Sequence, residues 1–196
     1  PDNELLAERL KAVGYRTVGV PAHNFFKRMY GLHQGFDEWD LTIVKDLDRK
    51  VAFRKTGHRV VKLALDWLAR RARDPSPQPF FLWVHLFDPH FAYKDHADWD
   101  FGDRKQDHYD EEIRYTDVQL ARLLARLDAP PFAQRTYVLV HSDHGEGFGE
   151  HGYRYHGQHL FDDQIHVPLV LAGPGLPAKR VAQPVPLLDV TPTLLD

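Results

Sequence analysis

The chain has 196 residues, of which 43% are hydrophobic and 27% charged, so it is long enough to bury one core and is typical of a folded globular domain. Its formal net charge of −3, with 25 scattered basic residues, gives no sign of a nucleic-acid partner. The absence of cysteine excludes disulfides, thiolate metal sites and cysteine nucleophiles within these residues, and no apolar run approaches the ~20 residues that span a bilayer.

The first part of the chain predicts helices and strands in alternation. Apolar residues at helical spacing predict a helix over residues from about 2 to 13, ended by Gly14, and a short strand follows at Tyr15–Val20. The stretch from 24 to 46 is irregular and aromatic-rich, and we expect a packed surface loop there. A second helix is predicted from about 49 to 73, with its apolar face at Val60, Val61, Ala64, Leu65, Trp67 and Leu68.

The remaining elements continue this alternation. Phe80–Phe87 is a nearly continuous apolar run, typical of a central strand that is covered on both faces. A helix is predicted from about 108 to 128, a strand from 136 to 142, another strand at Val167–Leu171, and the start of a helix at Asp189–Leu195. This order predicts an α/β fold with a mostly parallel sheet and helices on both of its faces.

The stretch Tyr137–Gly152 is the most informative part of the sequence. An apolar strand ends abruptly at Asp143 and His144, and Gly145 follows. Past the end of a strand the backbone can turn, so that both side chains face one ion and offer it a carboxylate oxygen and an imidazole nitrogen. That pair suits Zn, Mn or a similar ion, although Asp143 could instead cap a turn beside a surface histidine.

Histidine is unusually frequent, with 13 residues, and most of them lie in the second half of the chain. His90 follows the apolar run in Asp88-Pro89-His90, where an imidazole can donate to an anionic substrate or protonate a leaving group. His151 and His156 lie on the loop after His144, and each could face a bound anion. Because the carboxyl ends of parallel strands share one edge, we expect His90 and this loop to converge.

The ordered series of these motifs resembles the sulfatase family of the alkaline phosphatase superfamily, and the resemblance covers essentially the whole chain. The segments that carry it are Leu10–Thr17, Gly35–Asp37, Phe80–His90, Tyr115–Asp117, Ser142–Glu146, Gly149–Gly152, His156-Gly157, Leu160–Asp162, Val167–Leu169 and Leu188–Leu195. The resemblance implies an alkaline-phosphatase-like three-layer α/β/α sandwich whose N-terminal part is absent.

The resemblance also implies a function and roles for individual residues. Asp143 and His144 would bind one divalent metal ion (Ca, Mn, Mg or Zn), and His90 and His156 would contact the sulfate and act in catalysis. His151 would be a further substrate-binding residue. The activity would be hydrolysis of a small-molecule or glycan sulfate ester by a formylglycine nucleophile, in a periplasmic or extracellular compartment.

The chain departs from the family in lacking the nucleophile. The family places its formylglycine, and its remaining metal-binding acids, before the segment that Leu10–Thr17 resembles. Because the sequence starts at Pro1 and stops at Asp196 within an apparent helix, we expect residues 1–196 to be one partial domain, truncated at both ends and inactive alone.

Two other functions remain open. One is a phosphoryl-group hydrolase or phosphoethanolamine-type transferase of the same superfamily. Its two-metal phosphodiesterases need a histidine four residues after an aspartate, whereas Asp88 has Ala92 at that position, which argues against a second metal there. The other is a non-catalytic domain that binds a metal or an anion.

Overall fold

A computed structural model describes residues 3–46, 56–76 and 78–196. The chain divides into two compact units, Pro1–Arg126 and Leu127–Asp196. Within the described residues, none of the helices is long and apolar enough to cross a membrane. The expectation that residues 1–196 belong to one truncated domain stays a prediction.

Within the described residues, the first unit contains a three-stranded sheet and four α-helices, the last of which ends one residue beyond the unit. Its helices are α1 (Leu6–Ala12), α2 (Thr42–Asp46), α3 (Gly57–Arg71) and α4 (Lys105–Leu127), and its strands are β1 (Arg16–Val20), β2 (Glu38–Trp39) and β3 (Phe80–Val84). The predicted helices and strands are confirmed with shifted ends, although residues 49–55 of the second predicted helix lie outside the described residues. Gly14 has φ of +93°, so it follows α1 in the left-handed conformation that glycine adopts most readily.

The sheet is parallel, with the strand order β2-β1-β3. β1 pairs with β3 from Arg16 beside Phe80 to Val20 beside Val84, and with β2 through Val18 beside Glu38. The prediction of an irregular loop over 24–46 was therefore wrong for β2 and α2, which are too short to show a period in the sequence. The prediction that Phe80–Phe87 is the central strand was also wrong for the sheet of the described residues, since β1 is in the middle.

The core of this unit lies between α3 and the sheet. Val60, Val61, Ala64 and Leu68 of α3 are each 0% exposed, as their spacing along the helix predicts. Val60 packs in a cluster with residues of β1, α2 and the segment after β1, namely Val20, Ala22 and Ile43. Burying a large aliphatic side chain contributes about 1.5–3 kcal/mol, so this face holds α3 against the sheet.

The second unit contains the histidine-rich loop. Its strands are β4 (Val138–His141), β5 (Gly147–Phe148), β6 (Arg154–Tyr155) and β7 (Leu169–Ala172), and its helices are α5 (Asp162–Ile165) and α6 (Val190–Leu195). β5 and β6 form an antiparallel hairpin, and β7 runs antiparallel to β4 with His141 beside Leu169. The expected parallel arrangement thus holds for the sheet of the first unit, whereas the only partner of β4 within the described residues is antiparallel.

Candidate functional site

The chain turns immediately after β4, and α5 holds the turn. The amide of Gly145 donates to the carbonyl of Gln164 at 2.7 Å, and the Ser142 hydroxyl donates to the carbonyl of His144 at 2.7 Å. A Cβ atom on Gly145 would overlap the carbonyl oxygen of Asp163. Position 145 therefore requires glycine because another backbone segment passes too close for any side chain.

Asp143 and His144 are adjacent at this turn. Nε2 of His144 lies 3.9 Å from Oδ1 of Asp143, whose side chain is 82% exposed. Nδ1 of His144 is 2.8 Å from the carbonyl of Gly145 and must carry the proton, since a carbonyl only accepts. Nε2 is then the nitrogen with a lone pair, so the two residues offer one oxygen and one nitrogen on the same side.

His156 lies against His144. Their rings stack with centroids 3.9 Å apart and an interplanar angle of 20°. Nδ1 of His156 is 3.1 Å from Oε1 of Glu146, a carboxylate whose side chain is only 5% exposed. Asp143, His144, Glu146 and His156 therefore form one group, called here the Asp143 cluster. The sequence singles out the histidines, while the burial of Glu146 becomes visible only in the folded loop.

His151 occupies the turn between β5 and β6. Its ring stacks on Phe161 with centroids 4.1 Å apart, and its Nε2 lies 3.9 Å from Oδ1 of Asp163. That oxygen is inaccessible to solvent and has no hydrogen-bond partner within the described residues. The neighbouring Glu150 carboxylate accepts from the amide of Phe148 at 2.7 Å. Bonds from its own amide and from that of Phe148 lower the pKa of Glu150, so an ionised carboxylate lies next to His151.

His90 lies in the first unit, in the segment after β3. Nδ1 of the exposed His90 donates to the carbonyl of Phe91 at 2.6 Å. Its ring stacks on Phe87 at 4.3 Å, and Phe87 stacks on His23 at 4.6 Å. Burial, and then the nearby His90, lower the pKa of His23. Sequence reasoning missed this arrangement, because residues 23 and 87 are far apart along the chain.

The carboxylate of Asp88 accepts hydrogen bonds from the start of α3. Its carboxylate accepts from the amide of Gly57 at 2.7 Å, and from the amide and hydroxyl of Thr56 at 3.1 Å each. The side chain of Thr56 itself makes no capping bond, so Asp88 serves as the cap from a distant segment. Asp88 thus has a structural role, and its neighbour His90 is held at the start of the following loop.

The comparisons with known proteins agree with this arrangement of motifs. The sequence matches the Sulfatase family over residues 1–196. The chain belongs to the sulfatase family. Arylsulfatase K of Mus musculus is 29% identical over 148 residues, which are 71% of this chain and 27% of that protein. This sulfatase chain therefore corresponds to only part of its relatives.

Solved structures show the same fold. The chain resembles a structure described as Ps i-CgsB in complex with k-i-k-neocarrahexaose, with a TM-score of 0.72, 15% identity, and coverage of 98% of this chain and 52% of that one. It also resembles a protein in the alkaline phosphatase superfamily from Vibrio parahaemolyticus, with a TM-score of 0.65, 18% identity, and coverage of 97% and 46%. The α/β fold of that superfamily is therefore confirmed, while the convergence of His90 with the Asp143 cluster stays a prediction.

Proposed function

We propose that the full-length protein is a metal-dependent sulfuric ester hydrolase and that this chain supplies part of its metal and sulfate site. The observation that carries the proposal is the Asp143 cluster at the carboxyl end of β4, in which His144 stacks on His156 and Glu146 holds His156. Membership of the sulfatase family supports the interpretation of this cluster as a metal and anion site rather than a set of surface histidines.

Asp143 and His144 fit a single divalent cation. The cation would take one carboxylate oxygen and Nε2 of His144, which are 3.9 Å apart and come together with a small rotation of the exposed aspartate. The bond from Nδ1 of His144 to the Gly145 carbonyl fixes the ring and its tautomer, as backbone acceptors commonly do for metal-binding histidines. When bound, the cation, whether Zn, Mn, Mg or Ca, would neutralise the anionic ester and polarise it.

His156 and His90 would act on the sulfate group. The Glu146 carboxylate holds Nδ1 of His156, so that Nε2 is the nitrogen for the substrate. His90 is oriented in the same way by the Phe91 carbonyl and is exposed beside the Phe87 ring. Both rings would stabilise developing negative charge or transfer a proton to the leaving oxygen. His151, at the turn of the β5–β6 hairpin, would be a further substrate contact.

The nucleophile would come from residues outside this chain. The sequence contains no cysteine, and no serine with the Pro and Arg spacing from which a formylglycine is made, so another segment of the full-length protein would supply it together with the remaining metal ligands. The substrate would be a sulfate ester of a small molecule or a glycan. A periplasmic or extracellular location also belongs to this proposal.

The experiment that tests the proposal separates metal binding from turnover in the full-length protein. Asp143→Ala and His144→Ala should each lose one equivalent of metal and at least about 100-fold in hydrolysis of p-nitrophenyl sulfate. His90→Ala should keep its metal and lose about 100-fold or more in turnover. His166→Ala is the control, because His166 is an exposed histidine without an assigned role.

Each alternative predicts another outcome. Normal metal content in both Asp143→Ala and His144→Ala would contradict the ligand assignment. A clear preference for p-nitrophenyl phosphate over the sulfate would identify a phosphoryl-group enzyme. Bound metal with no turnover of either ester would favour a non-catalytic metal-binding or anion-binding protein.

A further inference from the structure

A second group of metal-binding side chains lies at the start of α4. Asp95, His108 and Glu111 each offer one ligand atom, and these atoms all lie within 4.8 Å of one another. We propose that these three residues bind a divalent transition-metal ion, Zn or Mn in character, which fastens the segment 91–104 to α4. None of them belongs to the Asp143 cluster, so the proposal does not rest on the proposed function.

The helix places two of the ligands side by side. His108 and Glu111 are three residues apart on α4, a spacing that puts both on one face. Nδ1 of His108 lies 3.6 Å from Oε2 of Glu111. Two ligands at about 2.1 Å from a tetrahedral metal are roughly 3.4 Å apart, so this pair is already close to the required separation. Asp95, an exposed residue of the preceding segment, would complete the set with a small rotation.

Glu111 is a buried carboxylate held in place by backbone amides. The residue is 1% exposed, and its two oxygens accept from the amides of Phe101 at 3.1 Å and of His96 at 3.0 Å. A carboxylate oxygen can accept more than one partner, so both oxygens retain a position for a metal. Both amides belong to the segment that the metal would fasten.

His108 supplies the second observation. Its Nδ1 is inaccessible to solvent and has no hydrogen-bond partner within the part of the chain that the structure describes. The 3.6 Å separation from Glu111 is too long for a hydrogen bond. A buried polar atom without a partner is unfavourable in a folded protein, and a cation bound between His108 and Glu111 would satisfy it.

The neighbouring buried carboxylates have partners of their own, so the ligand set is limited to the three residues. Glu112 and Asp107, like Glu111, are buried carboxylates near the start of α4. Asp107 is paired with Arg104, and Glu112 accepts from the amide of Lys94 at 2.9 Å. One imidazole with two carboxylates is a mixed nitrogen and oxygen ligand set, which suits Zn or Mn better than Ca.

The proposal is tested by metal analysis of the full-length protein after chelation and reconstitution with Zn²⁺ or Mn²⁺. The wild type should hold one equivalent more than His108→Ala, and that difference should persist when both proteins also carry Asp143→Ala. At a metal concentration of about 100 times Kd, metal should raise the unfolding temperature of Asp143→Ala by roughly 5 °C through this site, and the added His108→Ala substitution should abolish that shift.

Asp95→Ala is a second variant that distinguishes loss of metal binding from misfolding, because Asp95 is exposed and lies outside α4. It should weaken metal binding at this site at least about 10-fold, and the rise in unfolding temperature that metal produces, measured against the metal-free variant, should shrink accordingly. The proposal is overturned if His108→Ala and Asp95→Ala keep the wild-type stoichiometry and affinity. It is equally overturned if the His108 substitution lowers stability by the same amount with and without metal, since that identifies a simple His108–Glu111 ion pair.

Discussion

Replacing Asp88 should destabilise the first unit without removing metal. Its carboxylate is 9% exposed and accepts from the amides of Thr56 and Gly57 and from the Thr56 hydroxyl, all at the start of α3. Loss of a helix cap costs about 0.5–2 kcal/mol, and each buried donor that is left without an acceptor costs about 1–3 kcal/mol. Because the bonds share one cap, these costs overlap, and we expect about 2–4 kcal/mol for Asp88→Ala.

The assay is unfolding of the full-length protein, followed by heat or urea, together with metal analysis. For a unit of this size the expected loss corresponds to a fall of about 5–15 °C in unfolding temperature. Asp88→Asn keeps one carbonyl acceptor for these donors, but it removes the charge at the helix N-terminus and replaces the other oxygen with an NH2 group, so it should cost about 1 kcal/mol. The exposed Asp98 provides the control, since Asp98→Ala should change stability by less than about 0.5 kcal/mol.

Two outcomes would refute this reasoning. A loss below about 0.5 kcal/mol for Asp88→Ala would show that the buried amides find other acceptors or water. A fall in metal content in both Asp88→Ala and Asp88→Asn would show that the carboxylate binds a metal, contrary to its use as a cap of α3.

Three further substitutions test other contacts. Gly145→Ala places a Cβ atom against the Asp163 carbonyl, so it should cost about 1–3 kcal/mol of stability and lower turnover. Gly175→Ala is the control, because the space around its Cβ is open. It should leave turnover near wild type and cost only about 1 kcal/mol for its positive φ. Burial raises the pKa of Tyr115 to about 12, so the native phenol stays protonated while the unfolded one ionises above its ordinary value of about 10. The free energy of unfolding should therefore fall by roughly 2–3 kcal/mol between about pH 10 and 12, measured by urea titration. A Tyr115→Phe protein should lack this loss. If its free energy of unfolding falls with pH as that of the wild type does, Tyr115 is not the cause. Phe87→Leu should lower kcat with unchanged metal content, because it removes the ring on which His90 stacks; unchanged kcat would show that the stacking does not position His90.

Much of the fold could be predicted because its causes are local in the sequence. The apolar spacing of α3 predicted which side chains are buried, and Val60, Val61, Ala64 and Leu68 are all inaccessible. The end of β4 coincides with the change from apolar to polar residues, and β1 ends just before Pro21. The antiparallel pairing of β4 with β7 was not predictable in this way, since a buried strand has the same apolar composition in either direction.

The candidate site could also be predicted only in part from the sequence. Asp143, His144 and His156 could be selected from their residue types and their position after a strand. The roles of Asp88 and Glu146 could not, because each depends on a partner that only folding brings near: Asp88 caps a helix that starts 31 residues earlier, and Glu146 is buried beside a histidine 10 residues later. A lone carboxylate in a sequence gives no indication of the donors that it will meet.

The histidines of the two units share one orienting device. Nδ1 of His90 and Nδ1 of His144 each donate to the carbonyl of the next residue, Phe91 or Gly145. Such a bond depends only on the local backbone, so it fixes the tautomer before any metal or substrate binds. His156 instead depends on the side chain of Glu146. The orientation of His156 therefore depends on how the loop packs. Substitutions elsewhere in that loop should disturb His156 more readily than they disturb His90 or His144.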